Sequence, residues 1–284
     1  MKQSFWLNVG LFFAVVLAGA LVYLHPPADG PVEYAVSDLA PGAAASVRIE
    51  RPGMEPLVLE RKNATWFLRV PFNARADDFM VQRVLSILQA RTPHRFAATD
   101  LARFDLEKPR ARLVIDTQQF EFGLVSELSR EQYVRTGEAV YSLPARYGLA
   151  LPSRPDALAS RRLLAPEEVP VRIAPPGFSV ARTGDAWSVD PGAAGSTQDE
   201  IRRWVDGWLS ATAQRIEPYR NGDAAESVPI ELANGESLRI GILSRKPEVA
   251  LLRPDQRLQY FFPPDMEERL LSPPSGQKNP ADRR

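Results

Sequence analysis

Hydrophobic and polar residues along this chain fall into two periods, and the order of those periods predicts an architecture. From residue 46 the pattern alternates every second residue. SVRIER (46–51), PLVLER (56–61) and, more loosely, TWFLRV (65–70) carry this signature of strands with one buried face. Pro52-Gly53 and Lys62-Asn63 supply turn chemistry between them, so the three runs read as an antiparallel meander. The period then changes. In DDFMVQRVLSILQAR (77–91), Val81, Val84, Leu85 and Leu88 fall at i, i+3, i+4 and i+7, which predicts a helix with one apolar stripe. Asp77 is placed to cap its first turn and to face the positive end of its dipole. Further strands are predicted at RLVI (112–115), FEFGL (120–124), QYVRT (132–136) and AVYSL (139–143), and Pro144 and Pro152 close this half.

The second half runs through the same order. VRIAPPG (171–177) matches VRIERPG (47–53) at five of seven positions. Trp187 stands on a following strand as Trp66 does, and a core position is expected for it. A second helix is opened by Ser196-x-x-Asp199, close to a capping box, and aligns Ile201, Trp204, Val205 and Trp208 on one stripe. Strands follow at VPIEL (228–232), SLRIGIL (237–243), VALLR (249–253) and LQYFF (258–262), with Asn234-Gly235 as a hairpin signal between the first two. Matched heptapeptides, matched stripes and matched strand runs predict an internal repeat.

Ahead of both halves, SFWLNVGLFFAVVLAGALVYL (4–24) carries no charge and is long enough to cross a bilayer as a helix. Lys2 precedes it, Trp6 and Tyr23 lie near its ends, and His25-Pro26-Pro27 stops it. A single-pass inner-membrane anchor is expected, with the N-terminus inside and the bulk of the chain periplasmic. The alternative is a signal peptide cleaved after Ala20, since Ala18-Gly19-Ala20 fits the small-x-small rule, although Leu21-Val22-Tyr23-Leu24 prolongs the apolar run. The expected class is therefore α+β: an N-terminal transmembrane helix, then two tandem strand-rich units, each an antiparallel sheet with one packed helix. The boundaries read as anchor 1–25, spacer 26–45, first unit 46–153, linker 154–169, second unit 170–271 and a polar, disordered tail 272–284.

The V-x-I-x-R-x-G run, the Trp-containing strand, the helix reached through Ala76-Asp77, and Leu163-Leu164 before Glu167-Glu168-Val169 resemble the bacterial domain-of-unknown-function 4340 family. The resemblance covers about residues 46–270. It implies a membrane-anchored, externally facing protein with tandem units, of a kind that in some members accompanies transporter-like components tied to gliding motility. It brings no catalytic residue with it.

Composition narrows the chemistry. Lys+Arg and Asp+Glu are both 35, so the basic excess of a nucleic-acid-binding chain is missing and no nucleic-acid partner is expected. There is no Cys, which removes thiol nucleophiles, thiolate metal sites and disulfides together. The two His are His25, beside the apolar run, and His94, and no G-x-S-x-G elbow accompanies His94. Asp77-Asp78 and Asp199-Glu200 are adjacent carboxylates at helix starts, where capping explains them better than acid–base work. No P-loop, G-x-G-x-x-G, H-E-x-x-H or calcium loop occurs, and no cofactor or metal is expected.

The remaining candidates are residues of an interaction surface. Trp204 and Trp208 lie one helical turn apart and read either as an exposed stripe or as core. Arg135 and Arg253 occupy matching places in the two halves and read as a ligand site or as salt-bridging positions. The expected function is a membrane-anchored, non-enzymatic interaction or scaffold module of an envelope or transporter-associated complex, partnered by the membrane and by a membrane or envelope protein. The alternatives are a tethered binding protein for a small molecule or envelope polymer, using the cleft between the units, and a carboxylate-based hydrolase.

Overall fold

The computed structural model describes residues 12, 14–17, 20, 32–127, 129–191, 196–222 and 224–274. Its first sheet is built from the alternating runs of the first half. A short β1 (Tyr34–Ala35) precedes β2 (Ser46–Glu50), β3 (Leu57–Lys62), β4 (Thr65–Val70) and the two-residue β5 (Ala74–Arg75). Helix α1 (Asp78–Leu85) follows, then β6 (Arg91–Thr92), which pairs with β1, and β7 (Arg95–Ala97). Strands β8 (Ala111–Ile115), β9 (Gln118–Val125), β10 (Glu131–Thr136) and β11 (Ala139–Pro144) lead into the one-turn helix α2 (Arg146–Leu149). The sheet has nine strands in the order β5-β4-β3-β2-β8-β9-β10-β11-β7, with every pairing antiparallel.

The second sheet begins with β12 (Pro170–Ile173), β13 (Ser179–Thr183) and β14 (Ala186–Asp190). Helix α3 (Gln198–Leu209) separates them from β15 (Arg215–Pro218), β16 (Glu226–Leu232), β17 (Ser237–Ser244), β18 (Val249–Arg253) and β19 (Leu258–Phe262). Its order is β14-β13-β12-β16-β17-β18-β19-β15. Both sheets thus run from a meander through one non-sequential pairing (β2 to β8, β12 to β16) into a second meander closed by a short returning edge. They differ in the additional edge strand β5 of the first.

The helices obey their stripes. Val81, Val84 and Leu85 of α1 are buried, as are Ile201, Trp204, Val205 and Trp208 of α3. Asp77 caps α1 by accepting the Met80 N–H at 3.1 Å. The α-helix stops at Leu85 and tightens into a 3₁₀ turn over Ser86–Gln89, short of the predicted residue 91. Two causes are local: the Ser86 hydroxyl donates to the Arg83 carbonyl at 2.6 Å, and Arg91–Thr92 is drawn out to pair with β1. In α3 the capping box is Thr197 with Glu200, one residue beyond the expected Ser196 and Asp199. Ser196 instead donates through its hydroxyl to the Pro274 carbonyl.

The membrane anchor expected over residues 4–24 is corrected. Among the described residues no helix is long and apolar enough to cross a membrane. A hydrocarbon core needs roughly twenty apolar helical residues, whereas the longest described helix, α3, has 12. Of the apolar run only Phe12, residues 14–17 and Ala20 are described, as helix; the rest, with His25, lies outside the described residues. The single-pass topology, the inner-membrane and periplasmic location, the membrane partnership and the membrane-tethered scaffold or binding role lose their footing with it. What stands is an α+β fold with two large antiparallel sheets.

Candidate functional site

The segment between the sheets fixes the geometry of the surface around α1. Residues 158–160 lie along the β5 edge: the Asp77 N–H donates to the Leu158 carbonyl at 2.7 Å, and the Ser160 N–H to the Arg75 carbonyl at 2.8 Å. Residues 161–163 then pair with the segment before β15. The Leu163 N–H donates to the Ala211 carbonyl and the Ala213 N–H to the Arg161 carbonyl, both at 2.9 Å. Leu158, Leu163 and Leu164 are buried in the apolar core.

Two arginines, one from each sheet, hold this segment. Arg75 Nη2 reaches Ser160 Oγ and the Arg162 carbonyl at 3.2 Å and the Leu164 carbonyl at 3.4 Å. Arg253 is 1% exposed and uses all five of its N–H donors: on the Leu163 carbonyl, on both oxygens of Glu168 and on both oxygens of Asp255, at 2.8–3.0 Å. Burial works against the Arg253 charge, but Asp255 and Glu168 overcome it and hold the guanidinium above its ordinary pKa. Burial alone would likewise raise the Glu168 carboxyl. The Arg253 hydrogen bonds and charge, with the Ala165 N–H at 2.6 Å, outweigh that and hold it below its ordinary value. The Tyr260 hydroxyl nearby is pushed up to about 12 by burial.

Arg253 is therefore a structural anchor. Arg135, at the matching place on β10, is half-buried and pairs with Glu121 at 3.3 Å, beside the Arg112–Glu121 pair at 3.1 Å. Arg135 and Arg253 are held by different carboxylates, Glu121 for the first and Glu168 with Asp255 for the second. Trp204 and Trp208 are core residues that also fasten the chain beyond β19. Trp204 Nε1 donates to the Ser272 carbonyl at 2.9 Å and Trp208 Nε1 to the Leu270 carbonyl at 3.1 Å. Their rings lie 6.1 Å apart, and Phe178 meets Trp204 edge-on at 5.6 Å. Trp208 is fully buried, and Trp204 lends an edge to a small groove of about 250 Å³ between α3 and Pro273-Pro274. Trp187, expected in the core, is half-buried against it on the edge strand β14, whereas Trp66 is fully inside. His94 is exposed.

Two concave regions meet at the first turn of α1. At the seam between the sheets is a cleft of about 680 Å³, lined in part by Arg75, Asp78, Arg161, Arg162 and Glu167, with no tryptophan or tyrosine. Its Asp77 is occupied as the helix cap, and its Asp156 is held by Arg154 at 2.7 Å. On the other side of Phe79 lies a groove of about 420 Å³ between α1 and α2, lined by Phe79, Gln82, Arg83, Ser86, Arg146 and Ala150. Burial of Val81, Val84 and Leu85 turns residues 79, 82, 83 and 86 outward, so Phe79 projects from the solvent face and is 71% exposed. Leu149, three residues after Arg146 on α2, is 79% exposed.

Helix α2 sits close to the sheet because Gly148 has no side chain. A Cβ there would lie 2.0 Å from Gln132 Oε1, and the Gln132 amide is fixed by its bond to the Gly123 carbonyl at 3.1 Å. Phe79 was missed in reading the sequence, although its signal was present. It is a large apolar residue out of phase with the stripe of its own helix.

Among the described residues, no three of His, Asp and Glu gather as a metal centre would. No curated protein and no solved structure matches the chain. The model of a family described as a domain of unknown function, DUF4340, matches residues 66–238, more than half of the chain. That match is one continuous span from β4 to β17 across the linker, so neither tandem units nor a membrane anchor comes with it. On this match the chain belongs to the DUF4340 family.

Proposed function

We infer that this protein is a non-catalytic protein-interaction module whose contact surface centres on the outer face of α1 and on α2. The observation that carries this reading is the exposure of Phe79 on the wall of a preformed groove between α1 and α2, with Leu149 also exposed on α2. A large apolar side chain held in water gains nothing for the fold, and such residues gathered at a concave surface mark contact sites. The chemistry of the neighbouring cleft supports the same reading. Of its four carboxylates, Asp77 and Asp156 are committed to a helix cap and an ion pair while, among the described residues, Asp78 and Glu167 are not; its Ser160 hydroxyl accepts from Arg75, and no histidine lines it.

The test places a photo-crosslinking phenylalanine analogue at position 79, with a control at the exposed Arg182 on the far sheet. Irradiation of cells making the full chain is expected to give a discrete protein adduct from position 79 and none from 182. Equal, diffuse labelling from both positions, or no adduct from 79, would overturn the reading.

A further inference from the structure

We propose that the groove between α1 and α2 takes an acidic amphipathic helix of a partner protein; this rests on the interaction-module reading above. Three observations define the occupant. The surface is largely apolar and preformed, with Phe79 on the α1 side and Ala150 on the α2 side, so the occupant presents apolar side chains on one face. Its polar rim is basic: Arg83 and Arg146 line the groove and no carboxylate does. Among the described residues Arg83 makes a side-chain contact with its own helix's Met80 Sδ at 3.9 Å. Arg146 lies 5.0 Å over the Tyr147 ring and donates to its hydroxyl at 3.1 Å. Neither guanidinium is neutralised by an ion pair there, so both are free to meet carboxylates flanking the occupant's apolar face.

The third observation is that both walls are helical. Their backbone N–H and C=O groups are turned into their own turns or caps, leaving no strand edge for an extended chain to join. Such walls suit an occupant that satisfies its own backbone, as a helix laid into a groove does.

The experiment uses the purified full chain and a labelled synthetic peptide of roughly 18 residues, long enough to hold helix. It carries Leu and Phe at i, i+3, i+4 and i+7 with Glu on the flanks. Two counterparts carry Lys for Glu, or Ser for the apolar residues. Fluorescence anisotropy is expected to show binding of the acidic peptide alone. Binding should weaken roughly tenfold in the double variant Arg83→Glu/Arg146→Glu, and similarly in Phe79→Ser. These side chains face solvent, and an unchanged melting temperature checks that the variants fold.

Equal binding of the lysine peptide, or indifference to the charge reversal, would overturn the proposal. So would absence of acidic-peptide binding combined with arginine-dependent sedimentation on vesicles of anionic phospholipid, which would reassign the surface to lipid. A position-79 adduct that persists while the peptides fail to discriminate would leave the interaction module standing and remove only the acidic helix.

Discussion

Arg253 and Phe79 invert what their chemistry leads one to expect, since the charged residue is buried and the aromatic one is exposed. The apolar run of VALLR places Arg253 at the end of a strand whose every residue is buried, but nothing local reveals which carboxylates neutralise it. Glu168 lies 85 residues away, so the partnership is a product of the fold. Replacing Glu168 by Gln should cost about 3 kcal/mol at neutral pH, because it strips a buried guanidinium of one of its two carboxylate partners. The pH dependence has a definite sign. The Glu168 carboxyl is held below its ordinary value in the folded chain, so its contribution is complete above the unfolded pKa of about 4.3. That contribution is lost as pH falls through the folded value. Urea titrations at pH 7 and pH 3 should therefore show a large gap between wild type and Glu168→Gln at pH 7 that closes toward pH 3. A gap of the same size at both pH values would refute the ion-pair origin.

The long strands were legible in the sequence to within a residue or two: β2, β8 and β16 alternate because one face meets the core, and β11 and β18 stand out as short apolar runs buried on both faces. The short edge strands β5, β7 and β15 were not, since two to four residues carry no period. The capping box slipped by one residue because Ser196 and Thr197 are both good caps and only the tertiary bond from Ser196 to the Pro274 carbonyl separates them. One edge is closed by a side chain. Gln198, in the first turn of α3, accepts the Trp187 N–H at 3.1 Å and donates to the Trp187 carbonyl at 2.8 Å, standing in for a neighbouring strand on β14. Removing that amide leaves the outward backbone groups of an edge strand open to another chain. Gln198→Ala is expected to show concentration-dependent association by light scattering while wild type does not. A monomeric variant at all concentrations would mean that α3 shields the edge by bulk alone.

At the scale of the whole molecule, neither the exposed groove nor the packing of the linker was legible, because both depend on what packs beside what. Composition marks 154–169 as a connector, yet Leu158, Leu163 and Leu164 are core, and the segment's backbone pairs with both sides. The two sheets are accordingly expected to melt together. Calorimetry should give a single transition with matching calorimetric and van't Hoff enthalpies. The Ser160 amide bonds to the first sheet and the Leu163 amide to the segment preceding β15, and both should exchange with the same protection. Two resolved transitions, or an early-opening Leu163, would show the halves to be independent.

The same linker determines how the molecule bears force. A hinge is a few residues free to change φ and ψ. Here the backbone amides of Asp77, Ser160, Leu163 and Ala213 and the guanidinium groups of Arg75 and Arg253 all bear on one short run of chain. A pull that draws the sheets apart is therefore expected to be shared among these bonds. The segment is expected to act as a rivet, so that a load taken up at one sheet is passed on to the other.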